Sequence, residues 1–167
     1  MSIARRALLP LALAAAALAA GPARLGPPWM SIEYPANPHD ERTRGAYLVV
    51  NTYHHGTPTQ YTLVGTAEGV VGGARRSAPL RFTATSRESA QALTRQWPTE
   101  GRWVLHIRLQ QDEATEAAAL VVIGADGTPA RVTVPVRRDG PWSVPRAITA
   151  AEVTAALAEA GEQRRGQ

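Results

Sequence analysis

Trp97-Pro98-Thr99-Glu100-Gly101-Arg102-Trp103-Val104-Leu105-His106-Ile107-Arg108-Leu109 joins a tight turn to a regular strand, and its alternation decides the fold class. Trp103, Leu105, Ile107 and Leu109 recur at period two on one face, while Val104, His106 and Arg108 fall on the other, the pattern of a half-buried strand. Pro98 pre-sets φ at the start of a four-residue turn and Gly101 closes it. Trp103 is then a core tryptophan, and His106 lies on the outer face beside Arg108.

Working outward towards the C-terminus, Gln111-Asp112-Glu113 reads as a turn. Ala117 to Ile123 is apolar on both faces, as in a strand covered on both sides, although so short a run does not exclude a helix. Asp126-Gly127 is a hairpin signal. The pattern then predicts a last strand with Ala130, Val132, Val134 and Val136 inward and Arg131, Thr133, Pro135 and Arg137 outward. Gly140-Pro141-Trp142-Ser143-Val144-Pro145 ends the sheet region and leads on to a single helix. Thr149 and Glu152 form a capping box, and Ile148 and Val153 have the spacing of a hydrophobic staple. Gly161 is placed to stop the helix. Its stripe of Val153, Ala156, Leu157 and Ala160 is narrow and must dock on something, either its own sheet or a partner.

Towards the N-terminus, Ser89 to Trp97 reads as a weaker strand and the hairpin partner of the opening stretch, after a turn at Thr85 to Glu88. Before it, Ala78, Leu80, Phe82 and Ala84 face inward, and Pro79 implies an edge position. Gly72-Gly73 suits a turn with positive φ at both central residues. Thr59 to Val71 is a strand whose Gly65 and Gly69 suggest a bulge or bend. His55 to Pro58 turns it from a strand over Ala46 to His54, apolar on both faces and therefore central. Residues 36–45 form a polar, solvated loop with local side-chain turns. Trp29 to Tyr34 is the first strand, stopped by Pro35.

These segments give residues 1–19 as a signal peptide, 20–28 as a flexible arm, 29–138 as a β-sandwich, 139–148 as a linker, 149–161 as the helix and 162–167 as a tail. The leader has Arg5 and Arg6, an apolar run from Ala7 to Ala16 and a small-residue cleavage signal at Ala17-Leu18-Ala19. The run falls short of the roughly 20 apolar residues of a spanning helix, so cleavage and export to the periplasm or cell exterior are expected. The alternative is a retained anchor. Arg5-Arg6 also has the outline of a twin-arginine signal. The chain has no cysteine, which a domain of 167 residues can dispense with because its core is large enough. Its formal charge of +4 includes Arg5 and Arg6. All 18 basic residues are arginine, dispersed rather than gathered in a patch, and no nucleic-acid partner is expected.

Seven or eight short strands with turn signals every 8 to 12 residues or so predict an all-β, immunoglobulin-like antiparallel β-sandwich with one short C-terminal α-helix. Two stretches carry a family resemblance. Tyr53-His54-His55-Gly56-Thr57-Pro58, followed some forty residues on by Trp97-Pro98-Thr99-Glu100-Gly101-Arg102-Trp103-Val104-Leu105, resembles the strand, Gly-x-Pro turn and Pro-x-x-Gly-x-Trp-x-Leu hairpin of the YtkA-like family of extracytoplasmic immunoglobulin-like domains. The likeness covers residues 46–109 and departs from the pattern at Glu88-Ser89-Ala90-Gln91. It implies an exported accessory or ligand-binding module, with no catalytic residue to carry over.

No nucleophile elbow or phosphate-binding glycine loop is present, and the acid pairs Asp40-Glu41 and Asp112-Glu113 fall in turns, so no enzyme and no cofactor is expected. His39, His54, His55 and His106 are the candidate metal ligands. On a continuing strand His54 and His55 would point apart; at a strand end they could share an ion, with His39 or His106 completing the site. Without cysteine, and with Met30 the one methionine beyond the leader, soft Cu(I) ligands are scarce. Trp29, Met30, Tyr34, Trp142, Val153 and Leu157 are the candidate partner-binding residues, since aromatic side chains are enriched at interfaces. The function expected is a non-catalytic exported accessory or interaction module, docking on the outer face of a membrane or envelope complex. The alternative is a periplasmic copper carrier or small-ligand-binding domain.

Overall fold

The computed structural model describes residues 27–111 and 116–165, and it is an antiparallel β-sandwich with one C-terminal helix. Residues 1–19, read as the signal peptide, lie outside the described residues, as do most of the arm and the Asp112-Glu113 turn. The first sheet has the order β1 (Trp29–Glu33), β2 (Leu48–His54), β7 (Ala90–Leu93), β6 (Thr83–Ala84), with the short β3 (Thr57–Pro58) also on β2. The second has the order β10 (Pro129–Thr133), β9 (Glu116–Ile123), β8 (Arg102–Gln110), β4 (Thr62–Val71), β5 (Ala74–Pro79). A separate ribbon pairs β11 (Val136–Asp139) with β12 (Trp142–Pro145), and α1 spans Ala150–Arg165.

The opening stretch holds its expected register. Trp103, Leu105, Ile107 and Leu109 of β8 all lie in the core between the sheets, against Leu48, Val50 and Leu93 of the first sheet. Its expected hairpin with Ser89–Trp97 does not form: β7 pairs with β2 and β6, whereas β8 pairs with β4 and β9. Residues 94–101 instead cross from one sheet to the other. Trp97, 4% exposed, joins the core during that crossing. Residues 80–82 make a similar crossing from β5 to β6, so the edge position implied by Pro79 holds, but the inward run expected through Ala84 breaks there.

Gly72 (φ +56°) and Gly73 (φ +82°) make the β4–β5 hairpin turn as expected. Gly65 and Gly69 mark no bulge; they give room for close approach. A Cβ at 65 would lie 2.8 Å from the carbonyl oxygen of His106, and one at 69 would overlap the Trp103 indole.

β9 is covered on both sides, as its sequence requires. Ala117, Ala119, Val121 and Ile123 face the sandwich core, while Ala118, Leu120 and Val122 join Val104 under Ile148, Val153, Ala156, Leu157 and Ala160 of the helical segment. The capping box is formed: the Thr149 amide donates to Glu152 Oε2 (2.8 Å) and the Glu152 amide to Thr149 Oγ1 (3.2 Å). Gly161 does not stop the helix, which runs on through the expected tail to Arg165. Its lack of a side chain makes room for Arg102, whose Nη1 lies 2.6 Å from where a Cβ would stand.

The loop of residues 36–45 is more than a solvated connection. It makes the expected side-chain turns at Asn37 and Asp40, and a 3-10 turn at Glu41–Thr43. Arg42 Nη1 then donates to the Thr85 carbonyl (3.2 Å) and Ser86 Oγ to Asp40 Oδ2 (3.0 Å), which ties the loop back over the outer face of the first sheet. Val49, Ala90 and Ala92 on that face are buried accordingly.

Candidate interaction surface

The last expected strand ends early, and its ending creates the most exposed apolar surface described. A bulge between Pro129 and Arg131 resets the register of β10 on β9, after which Val132 pairs with Val121 on the core-facing side. Val132 therefore points inward, as expected, yet it is 42% exposed. β10 lies at the edge of the second sheet, while β1, the edge of the first, lies over β9, and Val132 is left only partly covered. Ala130, the unpaired residue of the bulge, is exposed, and Val134 is half-buried.

Beyond Pro135 the chain leaves the pairing of the second sheet. Residues 139–148, read as a linker, hold half of a ribbon. Val136 pairs with Pro145, Arg137 with Val144, Arg138 with Ser143 and Asp139 with Trp142. Gly140 (φ +59°) followed by Pro141 supplies the two-residue turn, glycine standing at the first central position where positive φ is required. The Arg146 amide donates to the Pro135 carbonyl (3.1 Å) and closes the base. One ribbon face carries Trp142, Val144, Arg137 and Asp139, the last two joined as an ion pair at 3.3 Å. Val136 is on the opposite face and is 44% exposed, not inward as expected. Trp142 is 72% exposed.

The other residues singled out from sequence are scattered. Trp29 (36% exposed) opens β1 and Tyr34 (43%) follows its end, with Tyr34 against the Tyr47 ring at 6.1 Å. Met30 is in the core, and Val153 and Leu157 are buried against the second sheet, so these three are unavailable to a partner. The helix docks on its own sandwich. His39 lies in the loop over the first sheet, and His106 on the outer side of β8, paired with Thr66 and Leu120. His54 and His55 stand at the end of β2 with ring centres 4.5 Å apart. No group of three or more His, Cys, Asp or Glu that could hold a metal occurs among the described residues, so neither His39 nor His106 completes a site with the pair.

A shallow open depression lined by Asn37, His39, Asp40, Arg42, Ser86 and Arg87 escapes sequence reading, because it forms where the loop meets the β6–β7 turn. Its charges are engaged. Asp40 accepts from the Arg42 amide and Ser86 Oγ, and Arg87 pairs with Glu33 at 2.9 Å. Burial alone would raise the Glu33 pKa, but the hydrogen bond and charge of Arg87, with hydrogen bonds from Asn51 and the Asn37 amide, together hold the carboxyl below its ordinary value. This is the electrostatics of a fastening.

No helix among the described residues is long and apolar enough to cross a membrane. Comparison with family models, with curated proteins and with solved structures gives no match to this chain.

Proposed function

We propose that the chain is a non-catalytic β-sandwich accessory subunit, exported by the leader at residues 1–19, which docks on the outer face of a membrane or envelope complex through the β11–β12 ribbon. Trp142 carries the reading. A tryptophan 72% exposed on a two-stranded ribbon outside both sheets contributes nothing to the core, and large aromatic side chains with neighbouring arginines are what interface centres are made of. Val132 adds apolar surface at the edge of the second sheet, and Val136 adds it on the other face of the ribbon. The acid of Asp40 is committed to the loop's own bonds, which favours a structural over a catalytic role. The resemblance to YtkA-like domains points the same way.

The test is co-purification from native membranes. The wild-type chain is expected to elute with a larger complex and Trp142→Ser to elute alone, with the melting temperature unchanged. Recovery of the wild type only as a free monomer would overturn the proposal.

A further inference from the structure

We propose that the open edge of β5 receives an acidic extended segment of a partner protein as a further strand, a reading independent of the ribbon and its partner. β5 ends the second sheet and, among the described residues, pairs only with β4. Of the other strands that end a sheet, β10 is bulged, β6 has two residues, and β1 is exposed at only two of its five. β5 runs in unbroken register from Ala74 to Pro79 and is exposed at five of its six residues.

The turn fixes which backbone groups are open. Gly72 and Gly73 are its two central residues, so Val71 and Ala74 close it as a hydrogen-bonded pair. By alternation Arg76 and Ala78 also bond to β4, and the Leu80 amide continues the series by donating to the Gly65 carbonyl at 2.9 Å. Arg75, Ser77 and Pro79 therefore turn their backbone groups outward, and Pro79, which has no amide, stands where no bond to β4 is lost. The edge offers a visiting strand the amides and carbonyls of Arg75 and Ser77.

Charge selects the visitor. Arg75 and Arg76 fall on opposite faces of β5, both exposed, and neither is in an ion pair among the described residues. They stand opposite Val70 and Gly69 of β4, and Glu68, the one acid of that strand, accepts from Ser77 Oγ at 2.7 Å. A second copy would bring two more guanidiniums to the same short edge, where like charges are destabilising. A strand with two adjacent acidic residues instead presents one carboxylate on each face, one for each guanidinium, while its main chain bonds to Arg75 and Ser77.

The experiment is calorimetric titration of the purified protein with a capped peptide of about eight residues, threonine and valine alternating around a central Asp-Glu pair. The expected result is one peptide per chain with a Kd of about 100 µM or tighter. The same peptide with Asn-Gln at its centre should bind about threefold more weakly or worse, as should the acidic peptide to the double variant Arg75→Ser, Arg76→Ser. Ser77→Pro separates strand addition from charge attraction, because it removes an outward amide while keeping both arginines and the bonds to β4. It should weaken binding by about tenfold or more, with Ser77→Ala binding as the wild type does. Wild-type binding no tighter than about 1 mM, or undiminished binding by either Ser77→Pro or the double arginine variant, would overturn the proposal.

Discussion

Gly69 and Trp103 face each other across β4 and β8, and neither is replaceable without the other. The indole lies over the glycine where a Cβ would stand, and its Nε1 donates to the Glu100 carbonyl at 2.8 Å. Gly69→Ala should therefore destabilise by about 1–3 kcal/mol through overpacking, and Trp103→Ala by about 3–5 kcal/mol through the cavity left behind. The double variant should lose less than the sum, because removing the ring relieves the clash. Urea denaturation at constant m-value measures all three; strict additivity would mean that the ring does not press on residue 69. Glu152 makes a second prediction at this scale. Hydrogen bonds from Arg146, and then from Thr149, hold its pKa down from 4.5 to about 2. A carboxylate with a lowered folded pKa stabilises above its unfolded value, and that contribution is lost as pH falls from about 4.5 through about 2. The wild type should lose more melting temperature over that window than Glu152→Gln does; parallel curves would remove the carboxylate from the account.

At the level of elements, how much a strand reveals depends on whether its burial is decided locally. Ala117 to Ile123 has both faces apolar, and both are covered, so its sequence states its environment fully. Val132 shows the opposite. Its alternation correctly marks an inward face, but whether anything lies opposite depends on the width of the other sheet, which no pattern within β10 encodes. The stripe of Val153 and Leu157 allows either a partner or the chain's own sheet, since a stripe records the need for a surface and not whose surface it is. With the sheet as the answer, Leu157→Ala should cost about 2–5 kcal/mol in the isolated protein, read by thermal melting. Trp142→Ser should fall within about 0.5 kcal/mol of wild type by the same measurement, as expected of an exposed side chain away from the core. A marked loss there would place the indole in a packing role.

For the whole molecule, the informative failure is the hairpin expected between Ser89–Trp97 and β8. Pro98 and Gly101 have the chemistry of a turn, and they do turn the chain, with Gly101 at φ +83°. Residues 94–101 are nonetheless long enough to span the roughly 10 Å between packed sheets, and the strands on either side find other partners. Turn chemistry fixes where a chain bends; strand pairing is settled by competition among all the strands. The candidate surfaces follow the same division. Exposed Trp142 stood out in sequence, but the ribbon that presents it did not, and the His54–His55 contact depends on one backbone angle at residue 55.

β8 and β9 lie side by side, and each contributes to the packing on both of its faces. Their amide protons can reach solvent only when the sandwich and the helix contact are both disrupted, so they should be the slowest to exchange with deuterium, at rates reporting global unfolding. The ribbon amides of β11 and β12 should exchange far sooner, through local opening. A mass-spectrometric exchange series that found β9 as quick as the ribbon would mean that β9 opens locally, its strand pairing lost along with its helix contact. Detachment of the helix alone would bare Val104, Leu120 and Val122 as an adhesive patch, so the helix also serves to keep the folded chain from self-association.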